Sequence, residues 1–328
     1  MTKRALITGI TGFVGSHLAE YVLKEHPADE VFGIKRWRSP KDNIRSIEHL
    51  LKLYDCDLRD LSSLISALTW AKPDIIFHLA AQSYVQTSYT APTDTLDTNV
   101  IGTTNLLEAV RICGLDPVIH VCSSSEVYGQ VTEKDLPITE DCPLRPVSPY
   151  AVSKVGEDML GYMYYMAHGL KTIRTRTFTH SGPRRGEVFV DSFFSNQVAR
   201  IEQGLQEPVL RVGNLESVRT FCDVRDTVRA YWLLAKHCVP GEVYNIGGTT
   251  TMTIGQMLDM LLGMTSYKGK IKVAVDKTLL RPADVTLQIP SFQKFKAATG
   301  WEPNIPYEQT LSDMLSYWRN RVQVTPDF

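Results

Sequence analysis

No run of like charge, no paired-cysteine spacing and no long apolar stretch occurs in this chain of 328 residues. Each absence removes a class of protein. Lys and Arg number 35 against 36 Asp and Glu, a net charge of -1, so the basic excess that nucleic-acid phosphates demand is missing. Apolar runs such as VIHVC and DIIFHLA fall far short of the roughly 20 residues that cross a bilayer. The six cysteines (Cys56, Cys113, Cys122, Cys142, Cys222, Cys238) show neither C-x-x-C spacing nor paired histidine ligands. They read as reduced, small core residues, and no metal is expected. A strand-like run, RALIT, begins directly after MTK, so no secretory leader is expected and a cytoplasmic location is. Internal repeats and low-complexity segments are also missing. What remains, 43% hydrophobic and 22% charged, is ordinary globular composition.

The order of elements carries the first positive information. RALIT, EVFGIKR, KLYDCD, DIIFHLA, VIHVCSS and KTIRTRTF read as strands. Between them lie helical patterns through HLAEYVLKE, near LSSLISAL, over TDTLDTNVIGTTNLLEAVRICG and from SPYAVSKV. Strands alternating with helices at this spacing imply parallel βαβ units, hence an α/β fold with a doubly wound sheet. After residue 178 the pattern loosens: THSGPRRGEVFV reads as a loop, FFSNQVARIEQG and TIGQMLDMLLGM as helices, EVYNIG as one more strand. The expected organisation is a dinucleotide-binding unit over 1–178 with a returning segment near 218–248. A smaller substrate-binding region over 179–217 and 249–328 completes it.

Gly9, Gly12 and Gly15 follow the first strand and open a helix. In that context glycines permit a tight turn and close backbone approach, and the helix N-terminus meets a pyrophosphate with free N–H groups. The end of the second strand, GIKRWRS, offers Lys35, Arg36 and Arg38 where NAD sites usually place an acid. Arginine matches a phosphate with its planar fork, so NADP is preferred over NAD, with Arg36 as its contact. Asp57 is placed to accept from the adenine amine. Tyr150 and Lys154 stand four apart and share a helical face. An ammonium that close is expected to pull the phenol below its usual value of about 10 and suit it to acid–base work. His78 and His120 lie inside apolar strands and read as core histidines.

TGITGFVG, HLAAQS, SSSEVYG and Y-x-x-x-K together resemble the extended short-chain dehydrogenase/reductase family, over nearly the whole chain. Within it the chain is similar to the GDP-mannose 4,6-dehydratases through GIKR, AQSYV, SPYAVSK, PRRGEVFV and LRPADV. RTRTF and VGNLESVRTFCDVRD lean toward the GDP-4-keto-6-deoxymannose reductases. The resemblance implies a Rossmann fold, a homodimer or tetramer, and NADP as hydride acceptor from the sugar C4. Tyr150 would take the 4-hydroxyl proton, Lys154 would bind the nicotinamide ribose, and Ser124 would bridge substrate and Tyr150. Thr11, Phe13, Leu58, Leu79, Ala80, Ala81, His180 and Arg185 are implied on the cofactor side. Ser83, Thr179, Val190, Arg219, Arg281 and Asp284 are implied on the sugar-nucleotide side. Thr179 and Phe193 depart from the asparagine and phosphate-binding lysine of the dehydratases.

Glu126 separates the readings. A dehydratase must remove the C5 proton, and Glu126, two residues past Ser124, would point to the same side in extended chain. The expected activity is an NADP-dependent nucleotide-sugar 4,6-dehydratase acting on GDP-mannose. The alternatives are a GDP-4-keto-6-deoxy-sugar reductase and a non-catalytic cofactor-binding module, which would typically lack the tyrosine, lysine or hydroxyl.

Overall fold

Short runs of Val, Ile, Leu and Phe form strands buried on both faces. The computed structural model describes residues 2–280, 283 and 285–324. In chain order its strands are β1 (Arg4–Thr8), β2 (Glu30–Lys35), β3 (Lys52–Asp55), β4 (Ile75–His78), β5 (Val118–Ser124), β6 (Lys171–Thr177), β7 (His180–Ser181), β8 (Val209–Val212), β9 (Val218–Asp223), β10 (Val243–Ile246), β11 (Thr250–Thr253), β12 (Lys272–Val275) and β13 (Leu287–Gln288). A seven-stranded parallel sheet runs β10–β6–β5–β4–β1–β2–β3. Leu6, Ile7, Ile76, Phe77, Ile119 and Val121 are wholly buried in it, each contributing about 1.5–3 kcal/mol. Winding reverses between β1 and β4, which leaves a crevice at their carboxyl ends, where open α/β sheets take ligands.

The chain leaves this sheet after β6, returns at β10 and leaves again at β11. β11–β9–β13, with β7 beside β9, forms a second sheet, and β12–β8 a third. Phe194, Val198, Leu210, Phe221, Met257, Leu311 and Met314 make a separate core. It joins the helices Val190–Glu202, Ile254–Gly263 and Tyr307–Val324 to these strands. Among the described residues no helix is long and apolar enough to cross a membrane. All six cysteines are free thiols.

One expected element is built differently. The helix anticipated over 93–114 divides into Pro92–Leu96, a π-helical turn Asp97–Ile101, and Gly102–Ile112. The wide turn places Asn99 inside, 1% exposed. Asn99 Oδ1 accepts from the Gln82 N–H at 2.8 Å, while its Nδ2 donates to the Gln82 carbonyl at 3.0 Å and to Ser153 Oγ at 2.9 Å. A fully satisfied amide thus registers the loop after β4 against the helix Pro149–His168.

Candidate active site

At the nucleotide end, Gly9 takes φ +68, and a Cβ there would stand 2.9 Å from the Ala80 Cα. A Cβ at Gly15 would lie 2.3 Å from the Gly9 carbonyl oxygen. The turn therefore packs backbone on backbone and closes the crevice floor with no side chains. Gly12 caps the helix Phe13–Glu25 without a side-chain hydrogen bond, so its first-turn N–H groups remain for an anion. Thr8 fixes the facing wall: its Oγ1 accepts from the N–H of Leu79 and of Ala80, both at 3.0 Å. Its own proton then goes to His78 Nδ1 at 3.0 Å, and His78 Nε2 donates to Thr103 at 2.9 Å. Burial lowers His78 to about 3, which keeps it the neutral structural group this chain of bonds requires.

The basic cluster after β2 is divided. Lys35 is buried and turns onto Asp55, its register partner on β3, so its charge is matched within the sheet. Arg38 stacks on the exposed Trp37 ring at 4.4 Å. Arg36 lines the cleft beside Ser39. Asp57 also lines it, with both carboxylate oxygens accepting from Arg59. That pairing holds its carboxyl below the usual range.

Across the crevice, Ser148 caps the helix Pro149–His168 by accepting from the Ala151 N–H at 3.0 Å, and Pro149 opens its first turn. The helix then points Tyr150 and Lys154 inward, 8% and 4% exposed. Lys154 Nζ lies 5.9 Å from the Tyr150 ring centre. The phenol is not lowered, contrary to the expectation from spacing alone. Burial pushes it up to about 12 and outweighs Lys154 and the hydrogen bond with Ser124, both of which favour the phenolate. Ser124 sits at the end of β5 and caps a 3₁₀ turn, Ser125–Tyr128, accepting from the Glu126 N–H at 3.2 Å. Glu126 thus enters the cleft, half-buried, by a tight turn rather than by strand alternation.

One cleft of about 1070 Å³ brings together the glycine turn, Arg36, Asp57, Ser124, Glu126, Tyr150 and Lys154, and leaves Arg38 outside its lining. Its lining includes Thr11, Phe13, Leu58, Ala81, Ser83, Thr179, His180, Arg185, Val190 and Arg219. Arg281 and Asp284 lie outside the described residues. His180 stacks on Phe13, ring centres 5.9 Å apart, and its Nδ1 donates to the Phe178 carbonyl at 3.0 Å. Arg185 is wedged between Phe13 and Phe189 and ion-paired with Asp191 at 3.2 Å, so part of its charge is matched before any phosphate arrives. Phe193 lines the cleft and gives an aromatic surface in place of a cation. Asn99 and Glu157 escaped sequence reading. Glu157 stands three residues past Lys154, a spacing that by itself marks a helical neighbour.

A glycine turn at the switch crevice, faced by buried Ser124, Tyr150 and Lys154, defines an extended short-chain dehydrogenase/reductase. Residues 6–314 match the family model described as GDP-mannose 4,6 dehydratase, and the chain belongs to that family. It is 34% identical over 325 residues to GDP-6-deoxy-D-mannose reductase of Pseudomonas aeruginosa, covering 98% of this chain and 99% of that one. It is 35% identical to the GDP-mannose 4,6-dehydratase of Vibrio cholerae, covering 96% and 93%. The solved structure of RMD from Pseudomonas aeruginosa, complexed with NADPH, matches with a TM-score of 0.84 at 33% identity over 98% of this chain and 100% of that one.

Proposed function

We propose that the chain is an NADP-dependent lyase that converts GDP-mannose to GDP-4-keto-6-deoxymannose, with hydride passing internally from C4 to C6. The observation that carries this is the half-buried carboxylate of Glu126 in the same cleft as Ser124, Tyr150 and Lys154. Tyr150 accepts the 4-hydroxyl proton, Ser124 bridges that hydroxyl to the phenol, and Lys154 orients the ribose. The cofactor, when bound, supplies a hydride acceptor and donor. The glycine turn and the helix Phe13–Glu25 fit its pyrophosphate, because the close packing at Gly9 and Gly15 leaves backbone donors facing the crevice. Once C4 is a ketone the C5 hydrogen is acidic, so Glu126 removes it and gives that proton to the departing C6 hydroxyl as water; after hydride reaches C6, C5 takes a solvent proton through the same carboxylate. Arg219 fits the sugar-nucleotide phosphates and Arg185 the cofactor side of the same cleft.

A second reading is favoured by Phe193 and by the similarity to the Pseudomonas reductase: reduction of a GDP-4-keto-6-deoxy sugar. Purified protein given GDP-mannose without added reductant separates the two. The 4-keto product is expected; untouched GDP-mannose overturns the dehydratase.

NADP is proposed over NAD because Arg36 is the arginine of its cluster that lines the cleft. Arg36→Ala should narrow the preference for NADP by about 1.5–3 kcal/mol, roughly 10- to 150-fold in relative affinity. Fluorescence titration with both dinucleotides measures it, and equal affinities in the unaltered protein would sink the assignment.

We also propose a homodimer. Val152, Met159, Met163 and Met166 are 40–63% exposed along the helix that carries Tyr150 on its other side. Burying such an apolar stripe against a second copy removes it from water.

A further inference from the structure

Glu157 takes no part in the roles above, yet it is 1% exposed one helical turn from Lys154. Its Oε2 accepts from Lys154 Nζ at 2.9 Å, and the same ammonium donates to the Cys122 carbonyl at 2.8 Å. An ammonium has three donors, so two are committed inside the protein and one is left for the cleft. The other Glu157 oxygen, Oε1, is buried without a hydrogen-bond partner. One contact is thin compensation for a buried carboxylate.

The surroundings leave Lys154 as the decisive charge. Asp158, next along the helix, is held by Arg174 at 2.7 Å and Arg176 at 2.8 Å, both from β6. From β5 come Cys122 and His120, and from β4 His78. Both histidines are neutral, burial having lowered each to about 3. Tyr150, on the same helix, is raised by burial, lowered by Lys154 and Ser124, and raised again by Glu157.

We propose that Glu157 is a positioning residue that sets the ionisation of Tyr150 through Lys154: as a carboxylate it cancels the ammonium's field at the phenol and holds one donor, and as a neutral acid it releases both. Burial pushes the Glu157 carboxyl up to about 7 against the pull of Lys154, so the change falls across neutrality. With Glu157 ionised, the Tyr150 phenol is held higher; with Glu157 protonated, an uncompensated Lys154 pulls it lower. The inference rests on the reading of Tyr150 as the acid–base group, but not on which sugar turns over.

The test needs no sugar. Tyrosinate absorbance after a rapid pH jump is recorded for the unaltered chain and for Glu157→Gln, each minus its Tyr150→Phe counterpart. Glu157→Gln should lower the Tyr150 midpoint by about one pH unit, tenfold in its ionisation constant. Glu157→Asp keeps the charge and should stay close to the unaltered chain. A folded Glu157→Gln protein with an unmoved midpoint overturns the proposal, since a merely structural contact would lower the melting temperature and leave the titration in place. Should that variant not fold, infrared spectra of the unaltered chain decide. A protonated-carboxyl band growing as pH falls through about 7, displaced in Glu157→Asp and accompanied by a shift of the Tyr150 ring band over the same pH range, supports the proposal. The absence of either overturns it. A failed dehydratase assay leaves these titrations untouched, so the two readings fail separately.

Discussion

Tyr150→Phe is expected to lower turnover by a factor of about 10²–10⁴, the usual worth of a positioned acid–base group, while fold and dinucleotide affinity persist. Phenylalanine keeps the ring that fills the buried site and removes only the hydroxyl that meets Ser124. Loss of that one neutral hydrogen bond costs about 0.5–1.5 kcal/mol of stability, too little to unfold the chain. Steady-state rates, a melting curve and cofactor fluorescence on the same preparation separate chemistry from collapse. A near-normal rate would mean that the Tyr150–Lys154 pair only decorates the helix. Burial pushes the phenol up to about 12, which favours its donor form at neutrality. Whatever makes it a base must arrive with substrate or through the charge on Lys154.

The charge balance at this phenol is only partly written in the sequence. Spacing placed Tyr150 beside Lys154, because helical neighbours depend only on the local 3.6-residue period. It could not supply the sign of the shift, which depends on burial by strands far along the chain. The same division holds elsewhere. The β-branched runs that became β1, β4, β5 and β6 are legible because a parallel strand buried on both faces is apolar throughout. β8, β9 and β12 mix Arg, Lys and Thr with apolar residues in the small outer sheets, and the pattern there is weak. Lys35 looked like one member of a phosphate-binding trio until β3 brought Asp55 alongside it, a contact fixed by sheet register. The π turn at Asp97–Ile101 was hidden for the converse reason. One additional residue in a helical turn leaves the apolar periodicity almost unchanged, and only the inward Asn99 betrays it.

Glu126→Gln is expected to block elimination by a similar factor, about 10²–10⁴, and it tests the reaction rather than the fold. The amide keeps the side chain's shape in the 3₁₀ turn beside Ser124, whose hydroxyl oxygen accepts from the backbone N–H of residue 126 whatever the side chain is. What the amide cannot do is accept a proton from C5. Isotopes make the distinction sharp. In heavy water the unaltered enzyme should place deuterium at C5 of the product, because that proton passes through an exchangeable carboxylate. A deuterium label at C4 should reappear at C6, because hydride returns within one turnover and no net reductant is consumed. Glu126→Gln should lose the product while dinucleotide affinity stays unchanged. A reductase predicts a different set of results: GDP-mannose left untouched, NADPH oxidised stoichiometrically with a 4-keto-6-deoxy sugar, and a Glu126→Gln rate close to that of the unaltered chain, since ketone reduction requires no base at C5. The carboxylate at position 126 therefore decides between the two reactions that this cleft can accommodate.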